Sequence, residues 1–380
     1  MPYDPTFDDI RPYRDEEIPA AMDRIASSGS FPLLASYVFP DKALPEVREL
    51  VRSIHTTSEF QSRVMFHMVR QVIGRTITRF TYSGLEHLSP GEHYLFIGNH
   101  RDIVLDSCLM QYVLYTHGHE TSEITFGSNL MQGQLIIDLG KANKMFRVER
   151  PENNLKAFYQ SSLHLSRYIR QTLTERKCSV WIAQRNGRTK DGLDRTDQGV
   201  MKMFGLSRTD DKVDAMDELH ILPVAISYEW EPCDLLKALE LYERRRISHH
   251  YIKKPGEDLT SILTGITQPK GHVHLAFCPR LTREELSAYT AFTVGDFNRA
   301  VAALIDRRIH EAYRLYPTNY VAHDLRYGNS DCRDRYTGED RAAFIERLCG
   351  LKRYEDRLDM ETLADIFLGI YSNPVEPIRP

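Results

Sequence analysis

The strongest constraint on the fold is an alternation of short apolar runs with helix-like segments between residues 93 and 277. Strand-like runs occupy residues 93–98, 124–126, 145–148, 178–183, 221–228 and 273–277. Helical periodicity occupies residues 103–115, 135–139 and 154–175. Strands that alternate with helices form a mainly parallel sheet covered by helices. We therefore predict an α/β fold with a mainly parallel, mixed sheet and with ligands bound beyond the carboxyl ends of its strands.

Helical periodicity dominates on both sides of this alternation. Residues 1–90 carry apolar side chains at helical spacing without a strong strand run, and the chain returns to helices beyond residue 282. We predict three regions: a helical N-terminal cap at 1–90, an α/β core at 91–281 and a helical C-terminal region at 282–380. A chain of 380 residues is long enough for two or three such units.

Charge and composition narrow the class of protein. The 49 Lys and Arg residues nearly balance the 53 Asp and Glu residues, which argues against nucleic acid as a partner. The amino terminus is acidic and lacks the basic and apolar segments of an export signal, and the apolar stretch 103–115 is interrupted by Asp106 and Gln111. We expect a cytoplasmic protein that visits the inner face of a membrane as a peripheral protein.

A candidate general base lies at the end of the first predicted core strand. The segment GNHRDIVLD at residues 98–106 brings His100 close in sequence to Asp102 and Asp106. A neutral imidazole takes a proton from an alcohol near pH 7, and a carboxylate on its other nitrogen fixes the tautomer. The chain has no nucleophile elbow, dinucleotide fingerprint or phosphate-binding P-loop motif, so the chemistry is expected here.

Three further blocks follow in order along the chain. Basic residues cluster in GKANKMFRVER at 140–150 and in WIAQRNGRTKDG at 181–192, and ILPV at 221–224 opens another strand. Guanidinium groups beyond the ends of parallel strands suit phosphate binding, because their planar fork matches phosphate oxygens. A base beside a phosphate site suggests that the acceptor is a phosphorylated alcohol.

The four blocks, in this order, resemble those of the glycerolipid acyltransferases, bacterial and plant enzymes that acylate glycerol 3-phosphate or 1-acylglycerol 3-phosphate. The resemblance covers about residues 93–230, and NHRDIVLD is similar to the first block of a bacterial subgroup. It implies His100 as the catalytic base, with Asp106 or Asp102 as its partner. It also implies that the substrates are bound by Asn99, Arg147, Arg150, Asn186, Gly187, Arg188 and Thr189.

Two positions depart from the pattern of the family. Five residues separate His100 from Asp106, where the family usually has four. One extra residue rotates a helical partner by about 100°, so either the turn before the helix absorbs it or Asp102 is the partner, and we favour Asp106. The third block usually has Glu where Asn186 stands, so a negative charge is missing there.

The resemblance implies transfer of a fatty acyl group from acyl-CoA or acyl carrier protein to the hydroxyl of 1-acylglycerol 3-phosphate, in phospholipid synthesis. It implies no covalent intermediate, no cofactor beyond the thioester co-substrate, and no metal. Glycerol 3-phosphate and other lysolipids are alternative acceptors. Two other hypotheses are a non-catalytic acyl-carrier or lipid-binding scaffold, and a metal-dependent hydrolase that uses scattered histidines and Asp324.

Overall fold

The computed structural model describes residues 4–149, 154–246, 254 and 256–376. Its centre is a seven-stranded sheet. In chain order the strands are β1 (Ile77–Ser83), β2 (Leu95–Gly98), β3 (Glu123–Gly127), β4 (Met145–Val148), β5 (Val180–Ala183), β6 (Ile221–Tyr228) and β7 (Gly271–Phe277). Across the sheet their order is β1-β7-β6-β2-β5-β3-β4, which puts β2 in the middle, between β6 and β5.

The strand directions confirm the predicted fold class. Five of the six neighbouring pairs in the described sheet are parallel, and β6 and β7 are antiparallel. The chain therefore folds as a mainly parallel, mixed α/β sheet. Since β2, β5 and β6 run in the same direction, their carboxyl ends meet at one edge, which is where ligands bind in sheets of this kind.

Helices cover the sheet and extend beyond it. Those of the N-terminal part are α1 (Ile18–Ser27), α2 (Phe31–Val38), α3 (Leu44–Arg52), α4 (Thr57–Phe60) and α5 (Phe66–Thr76). Between β2 and β7 lie α6 (Leu105–Thr116), α7 (Gln134–Ala142), α8 (Leu155–Thr174), α9 (Gln198–Phe204), α10 (Lys212–Asp217), α11 (Asp234–Arg246) and α12 (Glu257–Thr267). After β7 come α13 (Arg283–Ser287), α14 (Val294–Ala312), α15 (Pro317–Tyr327), α16 (Gly338–Cys349) and α17 (Met360–Ser372). Within the described residues, none of these helices has the length and apolar character needed to cross a bilayer.

Alternate side chains of the central strand pack into two separate hydrophobic cores, one on each face of the sheet. Leu95 and Ile97 pack with residues of α8, α9, α10 and α14 on one face of the sheet. Phe96 packs on the opposite face with residues of α5 and α6. A strand buried on both faces reads as a continuous apolar run, because successive side chains point in opposite directions. This is why the sequence predicts β2 well.

The N-terminal part contains a strand that the sequence does not predict. The expectation that residues 1–90 lack strands is wrong for Ile77–Ser83, which forms β1 and pairs in parallel with β7. β1 is an edge strand, and most of its side chains are partly or fully exposed. It therefore lacks the apolar run that marks a buried strand, and it follows α5 directly without a turn signal.

The C-terminal helices pack in two different places. α14 lies on the sheet, where Phe297, Val301 and Ile305 belong to the same core as β2. α15, α16 and α17 instead form a separate apolar cluster, which also includes Ala238 of α11. The division of the chain into three regions stays a prediction.

The loop between β2 and α6 is tightly packed against α12. Oδ1 of Asp102 accepts hydrogen bonds from the backbone N–H groups of Val104 and Leu105, each at 2.9 Å, and so satisfies donors at the start of α6. Its Oδ2 faces Gly265 of α12, where an added Cβ would lie 2.1 Å from that oxygen. The close approach of α12 to this loop therefore requires a residue without a side chain at position 265.

We expect Gly265→Ala to lower the free energy of unfolding by about 1–3 kcal/mol, because the added methyl group overpacks a buried contact. Gly74→Ala is the matched control: Gly74 lies in α5, and an added Cβ there meets nothing within 4 Å. That variant should be about 0.5–1 kcal/mol more stable than the parent, as expected for Gly to Ala in a helix. Urea denaturation of both variants tests this, and equal effects would contradict the packing argument.

Candidate active site

His100 is the second residue after the central strand, at the carboxyl edge of the sheet. Its Nδ1 atom lies 2.9 Å from Oδ2 of Asp106. An ionised carboxylate only accepts hydrogen bonds, so this contact puts the proton of a neutral imidazole on Nδ1 and leaves Nε2 as a proton acceptor. The side chain of His100 is 13% exposed, and its ring meets the ring of Trp181 edge-on at 5.8 Å between centroids. The imidazole is thus held in one orientation and one tautomer.

The extra residue between His100 and Asp106 is absorbed before the helix begins. α6 starts at Leu105, so Asp106 lies in its first turn and the preceding loop takes up the insertion. Asp102 bonds to the N–H groups at the start of the helix instead of to the imidazole. Of the two carboxylates, Asp106 is the one that contacts His100.

The carboxylate of Asp106 is nearly buried, at 3% exposure, and accepts four hydrogen bonds. Oδ2 accepts from the backbone N–H groups of Arg101, at 2.7 Å, and Asp102, at 2.8 Å, as well as from His100. Oδ1 accepts from the hydroxyl of Tyr228 at 2.8 Å. A buried carboxylate without partners is costly, so these four donors account for the burial of Asp106.

A buried network of charges holds the loop that carries His100. Arg101 is 1% exposed and pairs with Asp194 at 2.6 Å and with Glu231 at 3.2 Å. Nζ of Lys237 donates to Glu231 and to the carbonyl oxygen of Arg101, each at 2.6 Å. Burial opposes the charge of the guanidinium, but its carboxylate partners raise the pKa of Arg101 well above its ordinary value.

Two cavities meet at His100. The larger, of about 530 Å³, extends beneath α8 and α9 along β3, β4 and β5. Its walls are largely apolar and include Phe126, Leu165, Trp181 and Met203. An apolar cavity that begins at a proton acceptor suits a hydrocarbon chain attached to a reacting group.

The second cavity, of about 320 Å³, is polar and cationic. Four basic side chains line it, namely Arg185, Arg188, Lys190 and Arg244. Two acidic side chains, Asp191 and Asp258, also border it. His100, Asn186 and Gly187 line both cavities, so the imidazole lies where the two spaces join.

Two of these cations are well placed to bind an anion. Arg188 is 8% exposed, and its buried Nη1 has no hydrogen-bond partner among the described residues. A buried polar atom without a partner is costly, so this guanidinium keeps an unused hydrogen-bonding capacity. Lys190 pairs with Glu240 at 2.6 Å. Burial lowers the pKa of Lys190 to about 8, although Glu240 acts in the opposite direction.

The remaining candidate residues occupy different positions. Asn99 is buried and joins β2 to its surroundings through Asp194 and the backbone of Ile226, and it borders neither cavity. The side chain of Arg147 is 46% exposed and pairs with Glu149 at 2.7 Å. The backbone N–H of Thr189 donates to the carbonyl oxygen of His100 at 2.7 Å.

Arg150, the predicted phosphate ligand of the second block, lies outside the described residues. The structure therefore brings His100 and Asp106 together with Asn186, Gly187 and Arg188, whereas Asn99 and Arg147 are separate from the cavities.

Several residues of the site are missed by sequence reasoning. Tyr228, at the end of β6, reaches Asp106 across 122 positions of the chain. Arg244 and Asp258 come from α11 and α12, far from the four blocks. Only the tertiary structure reveals these contacts, since no local spacing links the residues concerned to His100.

A second cluster of polar side chains lies in the C-terminal helices. His323, Asp324 and Cys332 offer ligand atoms that all lie within 4.8 Å of one another. The carboxylate of Asp324, however, already accepts hydrogen bonds from the backbone N–H of Cys332 and the hydroxyl of Tyr336. These bonds account for its buried position, and His100 is not part of the cluster.

Comparison with known proteins gives a family match over the part of the chain that contains His100 and Asp106. Residues 79–227 match the protein-family model described as Acyltransferase. The solved structures similar to this chain include that of the 1-acyl-sn-glycerophosphate (LPA) acyltransferase PlsC from Thermotoga maritima, with 14% sequence identity and a TM-score of 0.36. That match covers 77% of this chain and 94% of the PlsC chain. The search of curated proteins found no match.

Proposed function

We propose that this protein transfers a fatty acyl group from a thioester to the hydroxyl of 1-acylglycerol 3-phosphate. The match of residues 79–227 to an acyltransferase model agrees with the resemblance to the glycerolipid acyltransferases. The observation that carries this proposal is the position of His100, at the junction of an apolar and a cationic cavity. A proton acceptor between a hydrocarbon site and an anion site suits an acceptor that has an anionic headgroup.

In the proposed reaction Nε2 of His100 removes the proton of the acceptor hydroxyl, and the oxygen attacks the thioester carbonyl. The tetrahedral intermediate then collapses, the bond from carbon to sulfur breaks, and the departing thiolate takes the proton from the imidazolium. Asp106 stabilises the imidazolium through its contact with Nδ1. Because the hydroxyl attacks the thioester directly, the acyl group is never attached to the protein.

The apolar cavity provides a site for the acyl chain of the donor. Its position next to His100 would bring the thioester carbonyl to the imidazole while the chain extends beneath α8 and α9. Holding both substrates at one point replaces a bimolecular encounter with a positioned reaction. Coenzyme A and acyl carrier protein both present the acyl group as a thioester, so either carrier fits the proposed reaction.

The cationic cavity provides a site for the phosphate of the acceptor. The fork of Arg188 and the ammonium of Lys190 both border it, and the unpartnered Nη1 of Arg188 is a donor that a phosphate oxygen would satisfy. The described part of this cavity therefore supports a phosphorylated acceptor over a neutral lysolipid. Glycerol 3-phosphate carries the same phosphate, so a direct comparison of the two acceptors is required.

The acceptor is a membrane lipid, so the protein must reach the membrane surface. Leu155, at 82% exposure, and Tyr159, at 50%, lie at the start of α8 and also line the apolar cavity. Exposed apolar side chains at the entrance of a lipid site favour peripheral contact with lipid. We therefore propose peripheral membrane association for this enzyme.

His100→Asn should lower kcat for acyl transfer by about 10²–10⁴-fold, because Asn supplies no general base. The matched control is His220→Asn. His220 pairs with Glu92 at 3.0 Å and directly precedes β6, at the opposite edge of the sheet from His100. Transfer of labelled palmitate to 1-acylglycerol 3-phosphate and to glycerol 3-phosphate measures both variants and ranks the acceptors.

Normal transfer by His100→Asn would refute catalysis by His100. If neither variant nor the parent protein transfers the label, while all three bind the donor equally, the protein is instead a lipid-binding scaffold.

Ser162→Phe should shift the preference of the enzyme toward shorter acyl donors. Ser162 lines the apolar cavity from α8, so a phenyl ring at this position would occupy space used by the chain. Each methylene that remains unburied costs about 0.8 kcal/mol, or about fourfold in kcat/KM. Gln160→Phe, at an exposed position of the same helix, is the control and should keep the parental profile. An unchanged chain-length profile in Ser162→Phe would mean that the chain binds elsewhere.

The affinity for the acceptor should fall as the pH rises through about 8, because the ammonium of Lys190 loses its proton and its charge there. The phosphate of the acceptor already carries its second charge, since a phosphate monoester ionises near pH 6. KM for the acceptor should thus increase above pH 8 in the parent protein and stay nearly constant in Lys190→Arg. If both proteins show the same pH dependence of KM, Lys190 does not hold the phosphate.

A further inference from the structure

We propose that Tyr228 is a positioning residue, which acts on catalysis by holding the carboxylate of Asp106 in the orientation that His100 requires. This inference rests on the proposed function, because it assumes that His100 is the base. Tyr228 borders neither cavity, so its effect would reach the reaction through Asp106 and not through contact with a substrate.

The position of Tyr228 follows from the register of the sheet. β6 pairs in parallel with β2, and Gly98, the last residue of β2, lies opposite Val224. β6 continues for four more residues, to Tyr228, and so extends beyond the carboxyl end of β2. The extended end of β6 therefore lies beside the loop that follows β2. There the hydroxyl of Tyr228 donates to Asp106, in the first turn of α6.

The four donors of Asp106 are divided between its two oxygens. Three of them, from the imidazole of His100 and from the backbone of Arg101 and Asp102, converge on Oδ2. The hydroxyl of Tyr228 bonds to Oδ1 at 2.8 Å. The torsion that rotates a carboxylate is broad and has no sharp minimum, so the bond at Oδ1 adds a restraint on rotation at the oxygen that the other three donors do not contact.

The hydroxyl is also in the state that donates. Tyr228 is 1% exposed, and burial together with the nearby charge of Asp106 raises the pKa of Tyr228 well above its ordinary value. The phenol therefore stays protonated throughout the working pH range and remains a hydrogen-bond donor to Asp106. A carboxylate that loses this bond is freer to rotate away from the imidazole, and it then stabilises the protonated form of His100 less.

Other charged groups near the pair remain unchanged when the hydroxyl is removed. Asp102 and Cys108 lie next to Asp106, and Glu231 lies near Tyr228. The polar cavity faces His100 with Arg185, Arg188, Lys190, Asp191, Arg244 and Asp258. The apolar cavity adds Glu149, Asp197 and Lys202. Because these groups are the same in both proteins, a difference in pH profile between Tyr228→Phe and the parent reports on the Tyr228 hydroxyl.

The test is the pH profile of kcat/KM for Tyr228→Phe, with kcat and KM measured separately. We expect kcat at pH 7 to fall about tenfold, which corresponds to the loss of one hydrogen bond to a charged group. The KM values for the acyl donor and for the acceptor should change little. The acid limb of the profile should move to lower pH, since a carboxylate that is no longer held by Tyr228 stabilises protonated His100 less. Tyr336→Phe is the matched control, because Tyr336 is also buried and its hydroxyl donates to a carboxylate, that of Asp324, at 2.9 Å.

A double-variant comparison separates positioning from a general loss of stability. If Tyr228 acts through Asp106, then Tyr228→Phe should change kcat much less in an Asp106→Asn background than in the parent protein. An unshifted acid limb in Tyr228→Phe, or an equal loss of kcat in both backgrounds, would overturn the inference. Loss of activity in His100→Asn together with a parental profile in Tyr228→Phe would refute only this inference. Parental activity in His100→Asn would refute the proposed function itself.

Discussion

Four hydrogen bonds converge on the carboxylate of Asp106, from the imidazole of His100, two backbone N–H groups and the hydroxyl of Tyr228. They join the end of the central strand, the loop after it, the first turn of α6 and the far end of β6. A buried carboxylate without such donors would be strongly destabilised. The same bonds that satisfy the buried carboxylate of Asp106 also fix the orientation and the tautomer of His100, so local stability and the proposed chemistry depend on one group.

A second buried group, the guanidinium of Arg101, anchors the loop that carries His100 through ion pairs. Its carboxylate partners, Asp194 and Glu231, come from the segments that follow β5 and β6. Taking charges out of water costs several kcal/mol per ion, and the loss is offset only where partners and hydrogen bonds are nearly ideal. Such a network therefore adds little to the free energy of unfolding. It restricts the loop to one conformation, however, and a general base must keep one position to act on a bound substrate.

The arrangement of the two cavities gives the site its chemical character. One is apolar and the other is lined by arginine and lysine, and the imidazole lies at their junction. A lysophosphatidic acceptor and a fatty acyl thioester each combine a hydrocarbon part with a polar part, and such substrates suit a base that lies at this kind of junction. The cations come from the loop after β5 and from α11, so the site depends on packing between segments that are distant in the chain.

The sequence by itself determined the α/β fold class and the position of His100 at the end of a buried strand. Both follow from local pattern: the apolar run of β2, buried on two faces, is visible in consecutive residues, and His100 comes two residues after it. The four blocks that resemble those of the acyltransferases are visible in the sequence for the same reason, because each is a run of consecutive residues. Only the tertiary structure decided that Asp106 contacts the imidazole, that Tyr228 contacts Asp106, that Arg147 lies apart from the cavities, and that residues 77–83 form an edge strand. These outcomes depend on the register of neighbouring strands, on where α6 begins and on contacts between segments more than a hundred residues apart, and none of these leaves a periodic signal in the sequence.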